Sequence, residues 1–280
     1  MVSAVGPSTT GAAPRTGTAG AAIDRAKADG RAALVAYLPV GFPDVDASVE
    51  AAKAAVAGGA DVVELGLPYS DPTMDGATIQ RAVDVALARR TRPVDVLRAV
   101  EAVASTGAAV LVMTYFPPID RYGVDRWAAD LANAGGAGLI TPDLVPDEAA
   151  DWIAASDEHD LERVFLVAPS STDARLRSTS AACRGFVYAA SLMGVTGTRA
   201  SVGAGAAELV RRTRAAGTER VCVGLGVSTP AQATEVAAYA DGVIVGSAFV
   251  QRLLEADSTA AGARAVGEFA QSLAEAVRTG

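Results

Sequence analysis

Short β-rich apolar runs recur along this chain, each followed by an amphipathic stretch of about 10 to 15 residues, and this alternation limits the fold more than any other feature. It is the pattern of a parallel sheet with helical crossovers. The predicted strands are 33–38, 62–67, 109–113, 138–141, 163–167, 185–190, 220–225 and 242–245. Between them the apolar spacing turns helical: Val49, Ala52 and Val56 share a face after the first strand, and Val266, Phe269, Leu273 and Val277 share one near the end. Two helix-to-strand joints, Ala57-Gly58-Gly59-Ala60 and Ala134-Gly135-Gly136-Ala137, resemble one another, as expected of a repeated β/α unit. Eight units in about 250 residues is the size of a closed barrel, whereas an open doubly wound sheet more often has about five or six strands. The expected fold is therefore α/β, a single-domain (β/α)8 TIM barrel over residues 21–280, with its chemistry at the C-terminal ends of the strands.

Residues 1–20 are rich in Gly, Ala, Thr, Ser and Pro, lack an apolar signal segment and carry one charged side chain, Arg15. They read as a disordered tail; a transit peptide is the rival reading, although such segments are usually richer in Arg. The isolated Cys183 and Cys222 suit buried thiols in a reducing compartment, so a cytoplasmic location is expected.

Several chemistries are disfavoured by counting. The net charge is −8 and the densest basic clusters, Arg89, Arg90, Arg92 and Arg211, Arg212, Arg214, are small, which argues against nucleic acid as a partner. No apolar run approaches the roughly 20 residues of a membrane span. The single histidine, His159, lies in a charged stretch leading into the fifth strand, at the wrong end for catalysis. That disfavours a Ser-His-Asp triad and a His-ligated metal. Lys27 and Lys53 end no strand, which disfavours a Schiff-base aldolase. Carboxylates and tyrosines remain as acid-base candidates.

Two constellations stand out. Asp61-Val62-Val63-Glu64-Leu65-Gly66 carries one carboxylate inside an apolar strand. If Val63 and Leu65 face the helices, alternation points Glu64 into the barrel mouth, where desolvation would raise its pKa toward neutrality. The same spacing suits a glutamate pointing to water at a frayed strand end. Asp75, in the following loop, could reach the same pocket, although Asp75-Gly76 is also ordinary turn chemistry. The second constellation is three glycine-bearing loops after the last three predicted strands, Gly194-Val195-Thr196-Gly197, Gly224-Leu225-Gly226-Val227-Ser228 and Gly246-Ser247. Bare N–H groups there could hold a phosphate dianion without lysine, or the glycines could simply turn the chain.

Val63-Glu64-Leu65-Gly66-Leu67-Pro68-Tyr69-Ser70-Asp71-Pro72, followed by Asp75-Gly76 and Gln80-Arg81-Ala82, closely resembles the signature of the tryptophan synthase alpha chain family. Gly41-Phe42-Pro43, Met113-Thr114-Tyr115, Pro142-Asp143-Leu144 and the three glycine loops follow in family order, from about residue 24 onward. The resemblance implies a lyase that cleaves indole-3-glycerol phosphate to indole and glyceraldehyde 3-phosphate without metal or cofactor. It implies Glu64 and Asp75 as catalytic residues, Tyr37, Tyr188, Thr196 and Leu225 at the substrate, and Gly197, Gly226, Gly246 and Ser247 at the phosphate. It also implies a tryptophan synthase beta chain as partner in an alpha2beta2 heterotetramer, with Asp71, Pro72 and Pro117 as the contact patch.

Departures from the pattern are Pro117 where Asn is expected, Leu192 and Met193 in the sixth loop, and Leu225 in place of an aromatic. A stand-alone lyase that releases free indole, another phosphate-binding barrel such as an isomerase, and a non-catalytic activator of a beta chain are the competing readings.

Overall fold

A computed structural model describes residues 17–190, 202–224 and 226–278. Eight parallel strands follow in chain order: β1 (Ala33–Pro39), β2 (Val62–Gly66), β3 (Ala109–Met113), β4 (Gly138–Thr141), β5 (Glu162–Val167), β6 (Val187–Ala190), β7 (Val221–Gly224) and β8 (Gly242–Val245). Each pairs with the next, and β8 pairs with β1 in the register Ala33↔Gly242 to Ala36↔Val245, so the sheet closes into a barrel. The expected (β/α)8 barrel is what the chain forms.

Alternation along the strands separates two cores. Residues such as Val63, Leu65, Val110, Val112 and Leu139 pack outward against the helices, together with Val49, Ala52, Val266, Phe269, Leu273 and Val277 of the predicted helical faces. Ala33, Val35, Val62, Leu111, Ile140, Val164, Phe186, Tyr188, Cys222 and Ile244 fill the interior. The two resembling joints turn alike but one position apart. The first helix ends on Gly58 and Gly59 takes the left-handed conformation (φ 106°); the second ends on Ala134 and Gly135 does so (φ 80°).

The N-terminal end of the barrel is stoppered by the helix Ala19–Ala28, whose Ala19, Ala22, Ile23 and Ala26 join the interior core. Thr18 caps this helix, and the Ala19 and Gly20 N–H groups donate to the two carboxylate oxygens of Glu162 at 2.7 and 2.8 Å. Asp24 forms a bidentate pair with Arg220, Lys27 reaches Asp241, and Arg31 just beyond the helix makes a bidentate pair with Asp61. The expected tail boundary at Gly20 is thereby corrected: Ala19 and Gly20 are buried helix residues, because the orphan N–H groups of the first turn find an acceptor on β5.

Strand ends also shift by a residue or two. β6 starts at Val187 because Gly185 has φ 101°, and β5 gains Glu162, which pairs with Gly138.

Burial pushes the Glu162 carboxyl up to about 7, against the two backbone N–H donors that pull it down. Removing it leaves those donors without an acceptor. Glu162→Ala is expected to lower unfolding stability by roughly 2 kcal/mol. Urea denaturation at pH 5, where the folded-state carboxyl is protonated and its raised pKa costs little, checks this, and an unchanged midpoint would show that the helix is held by its apolar face alone.

Candidate active site

Glu64 lies on β2 opposite Tyr37 of β1, and both side chains belong to the inward face. Its neighbours Val63 and Leu65 pack outward, so the inward reading of the strand pattern is the correct one. Glu64 is fully buried, and neither carboxyl oxygen has a hydrogen-bond partner among the described residues. Burial alone lifts its pKa from 4.5 to about 8, so the carboxyl is largely protonated at neutral pH.

Asp75 follows in the loop between β2 and the helix Ala77–Ala88, and lines the same cavity of about 270 Å³. Burial raises its pKa, and a hydrogen bond from the Tyr115 hydroxyl to Asp75 Oδ1, at 3.4 Å, works the other way. The Tyr115 hydroxyl also accepts the N–H groups of Thr73 and Met74, at 3.0 and 2.9 Å, and its ring stacks on Tyr69 with centroids 5.0 Å apart. Gln80 donates to the Asp75 carbonyl at 2.6 Å, tying the loop to the helix that follows.

Tyr37 and Tyr188 form the buried aromatic part of the wall, and burial raises both phenols well above 10. Each needs a glycine on a neighbouring strand: a Cβ on Gly66 would press on the Tyr37 hydroxyl, and one on Gly224 would overlap the Tyr188 hydroxyl. Gly226, Gly246 and Ser247 line the cavity on the side of β7 and β8. Ser247 opens the helix Ser247–Glu255, with Gly246 at its N-cap and no side-chain cap. The N–H groups of Phe249 and Val250 return to the Gly246 carbonyl, while those of Ser247 and Ala248 have no intrahelical acceptor. Thr196, Gly197 and Leu225, together with Leu192 and Met193, lie outside the described residues.

At the same end of the barrel Asp71 is exposed and hydrogen-bonded to Ser70, Pro72 is half-buried and Pro117 is exposed. His159 caps the helix Ala150–Glu158 ahead of β5, at the opposite end from the cavity. Lys53 pairs with Glu50 on its own helix. Among the described residues no group of three His, Cys, Asp or Glu side chains gathers as a metal site, and no helix is long and apolar enough to cross a membrane.

The sequence pattern of the tryptophan synthase alpha chain family matches residues 23–278. The chain belongs to that family. The alpha chain of Thermobifida fusca is 62% identical over 259 residues, covering 91% of this chain and 96% of that one. The alpha chain of Streptomyces coelicolor is also 62% identical, over 90% of this chain and 94% of the other. A solved structure of Mycobacterium tuberculosis tryptophan synthase superposes with a TM-score of 0.85 at 55% identity, covering 94% of this chain and 98% of that one. Membership in the tryptophan synthase alpha chain family brings the family reaction, the aldol-type cleavage of indole-3-glycerol phosphate within tryptophan biosynthesis.

Several lining residues escape the sequence analysis as site residues. Met113, Leu166 and Ile244 stand at inward positions near the ends of β3, β5 and β8, so strand alternation could have found them. Met74 and Ile79 sit on a loop and a helix, where no such period applies. Tyr115 appears in the sequence analysis within a matching motif, but nothing local in it signals the three contacts of its hydroxyl.

The raised Glu64 pKa carries a stability cost with a definite sign. The folded state binds the proton more tightly than the unfolded chain, so stability declines as pH rises from 4.5 to about 8. Glu64→Gln, which mimics the neutral acid, should match the natural protein near pH 4.5 and exceed it by roughly 3 kcal/mol at pH 7. Thermal unfolding of both across that pH range tests the point; parallel curves would mean that Glu64 titrates normally.

Proposed function

We propose that Glu64 and Asp75 divide the cleavage of indole-3-glycerol phosphate between them, Glu64 moving protons and Asp75 supporting charge. The single observation that carries this reading is a fully buried carboxyl, without a hydrogen-bond partner among the described residues, in an apolar cavity that also holds a second carboxylate and an open helix N-terminus. The bond from indole C3 to the glycerol chain breaks once C3 is protonated, because the resulting cation accepts the bond electrons. Glu64 as an acid gives its proton to C3. The carboxylate left behind takes the proton of the hydroxyl on the adjacent carbon; that carbon becomes the aldehyde, the bond electrons return to the ring, and Glu64 is protonated again. Asp75, with one oxygen engaged by Tyr115, offers the other to the ring N–H as positive charge develops.

The phosphate is assigned to the opposite side of the cavity, at Gly226, Gly246 and Ser247 with Gly197, where the first-turn N–H groups and the helix dipole favour a dianion. Tyr37 and Tyr188 hold the indole, joined by Thr196 and Leu225. The partner is a tryptophan synthase beta chain in an alpha2beta2 complex that receives the indole. Asp71 and Pro72, between β2 and the helix Ala77–Ala88, and Pro117, in the first turn of the helix Phe116–Tyr122 after β3, form the docking patch. The enzyme works in the cytoplasm, where the free thiols Cys183 and Cys222 stay reduced.

The test is indole release from indole-3-glycerol phosphate with and without the beta chain. The isolated chain should be slow and rise by orders of magnitude with its partner; fast release alone would mark a stand-alone lyase. Glu64→Gln should lose on the order of 10³-fold in kcat. Because C3 needs the protonated acid, kcat should fall as pH rises through about 8, and it should fall at low pH as Asp75 becomes neutral. A Glu64→Gln variant of full activity, or no release under any condition, would refute the assignment.

A further inference from the structure

We infer that Tyr115 is a positioning residue of the lyase reaction, its hydroxyl proton being committed to Asp75 by the backbone of the loop that carries Asp75. The argument is one of hydrogen-bond capacity. A phenol hydroxyl has two lone pairs and one proton. Thr73 N–H and Met74 N–H occupy the acceptor side at 3.0 and 2.9 Å, so the remaining proton has Asp75 Oδ1, at 3.4 Å, as its partner. The two donors also polarise the O–H bond, which strengthens it toward a carboxylate.

Tyr115 is held stiffly enough to act in this way. It is buried, with 5% of its surface exposed, and follows β3 directly. The N–H of Thr114 donates to the Ile140 carbonyl, and the N–H of Phe116 donates to the Asp143 carboxylate, so the backbone on both sides is fixed to the β4 side of the barrel. The ring packs on Tyr69 of the same catalytic loop. The loop from β2 is thus pinned from β3 at its turn, and one Asp75 oxygen is engaged while the other accepts no hydrogen bond from the described residues. The hydroxyl favours the charged carboxylate, the form able to support a ring cation, against a burial that favours the neutral acid.

The inference rests on the assignment of Asp75 to the ring nitrogen, and a double-mutant cycle separates the two. Indole release by the full chain with its beta partner is measured for the natural protein, Tyr115→Phe, Asp75→Asn and the double variant. If Tyr115 acts through Asp75, Tyr115→Phe should lower kcat on the order of 10-fold with little change in KM, and cost less than about 2-fold once Asp75 is already Asn. The acid limb of its pH profile should also move to higher pH, a change that a purely structural anchor would not produce. Equal losses in both backgrounds, or an acid limb that stays in place, would overturn the proposal while leaving Asp75 intact. A fully active Asp75→Asn would overturn the Asp75 assignment and the proposal with it. Unchanged thermal unfolding of Tyr115→Phe, or a loss of kcat that persists at temperatures well below its transition, excludes unfolding as the cause.

Discussion

Closure of β8 onto β1 gives the molecule two unlike ends, and the treatment of carboxylates at those ends follows from it. At the N-terminal end, N–H groups near the starts of β1 and β7 are met by acidic side chains. Asp61 accepts from Leu34 N–H and pairs with Arg31. Asp241 accepts from Val221 N–H and pairs with Lys27 and Arg214. Glu162 receives the first turn of the stoppering helix. At the C-terminal end Glu64 has no fixed partner among the described residues, and Asp75 has one long hydrogen bond. The same residue types thus hold the barrel shut at one end and remain available for chemistry at the other.

An unpartnered carboxyl in an apolar wall is unfavourable, and the fold must offset it elsewhere. It does so between barrel and helices, where Trp127, Trp152, Phe165 and Phe249 are almost wholly buried, each contributing roughly 1.5–3 kcal/mol. Raised proton affinity at Glu64 is therefore a property of the whole barrel. The inward apolar side chains of β3, β5 and β8 pack around it, and among the described residues no cation compensates. Desolvation turns an ordinary glutamate into an acid suited to neutral pH, and the rigidity of the surrounding sheet keeps it so.

Much of this was legible in the sequence because the governing rules are local. A period of two along strand 62–66 put Glu64 on the face opposite Val63 and Leu65, and closure made that face the interior. Glycines after the last strands marked the chain turns that line the β7 and β8 side of the cavity. The tail boundary failed by two residues, because composition reads Ala19 and Gly20 as loop-like, whereas an acceptor 143 and 142 residues away makes them helical.

The sequence by itself determined the number and order of the β/α units, the carboxyl on the face of the second strand opposite Val63 and Leu65, and the presence of a second carboxylate close behind it. These depend on side-chain period and turn residues, which act over a few positions. Only the tertiary structure decided which residues wall the cavity, that the first helix seals the other end, and that Tyr115 holds the catalytic loop from 40 to 42 residues away. Such contacts exist only after the barrel has closed and its loops have met at one rim. Until then no local pattern distinguishes a tyrosine that anchors an active site from one that merely fills a core.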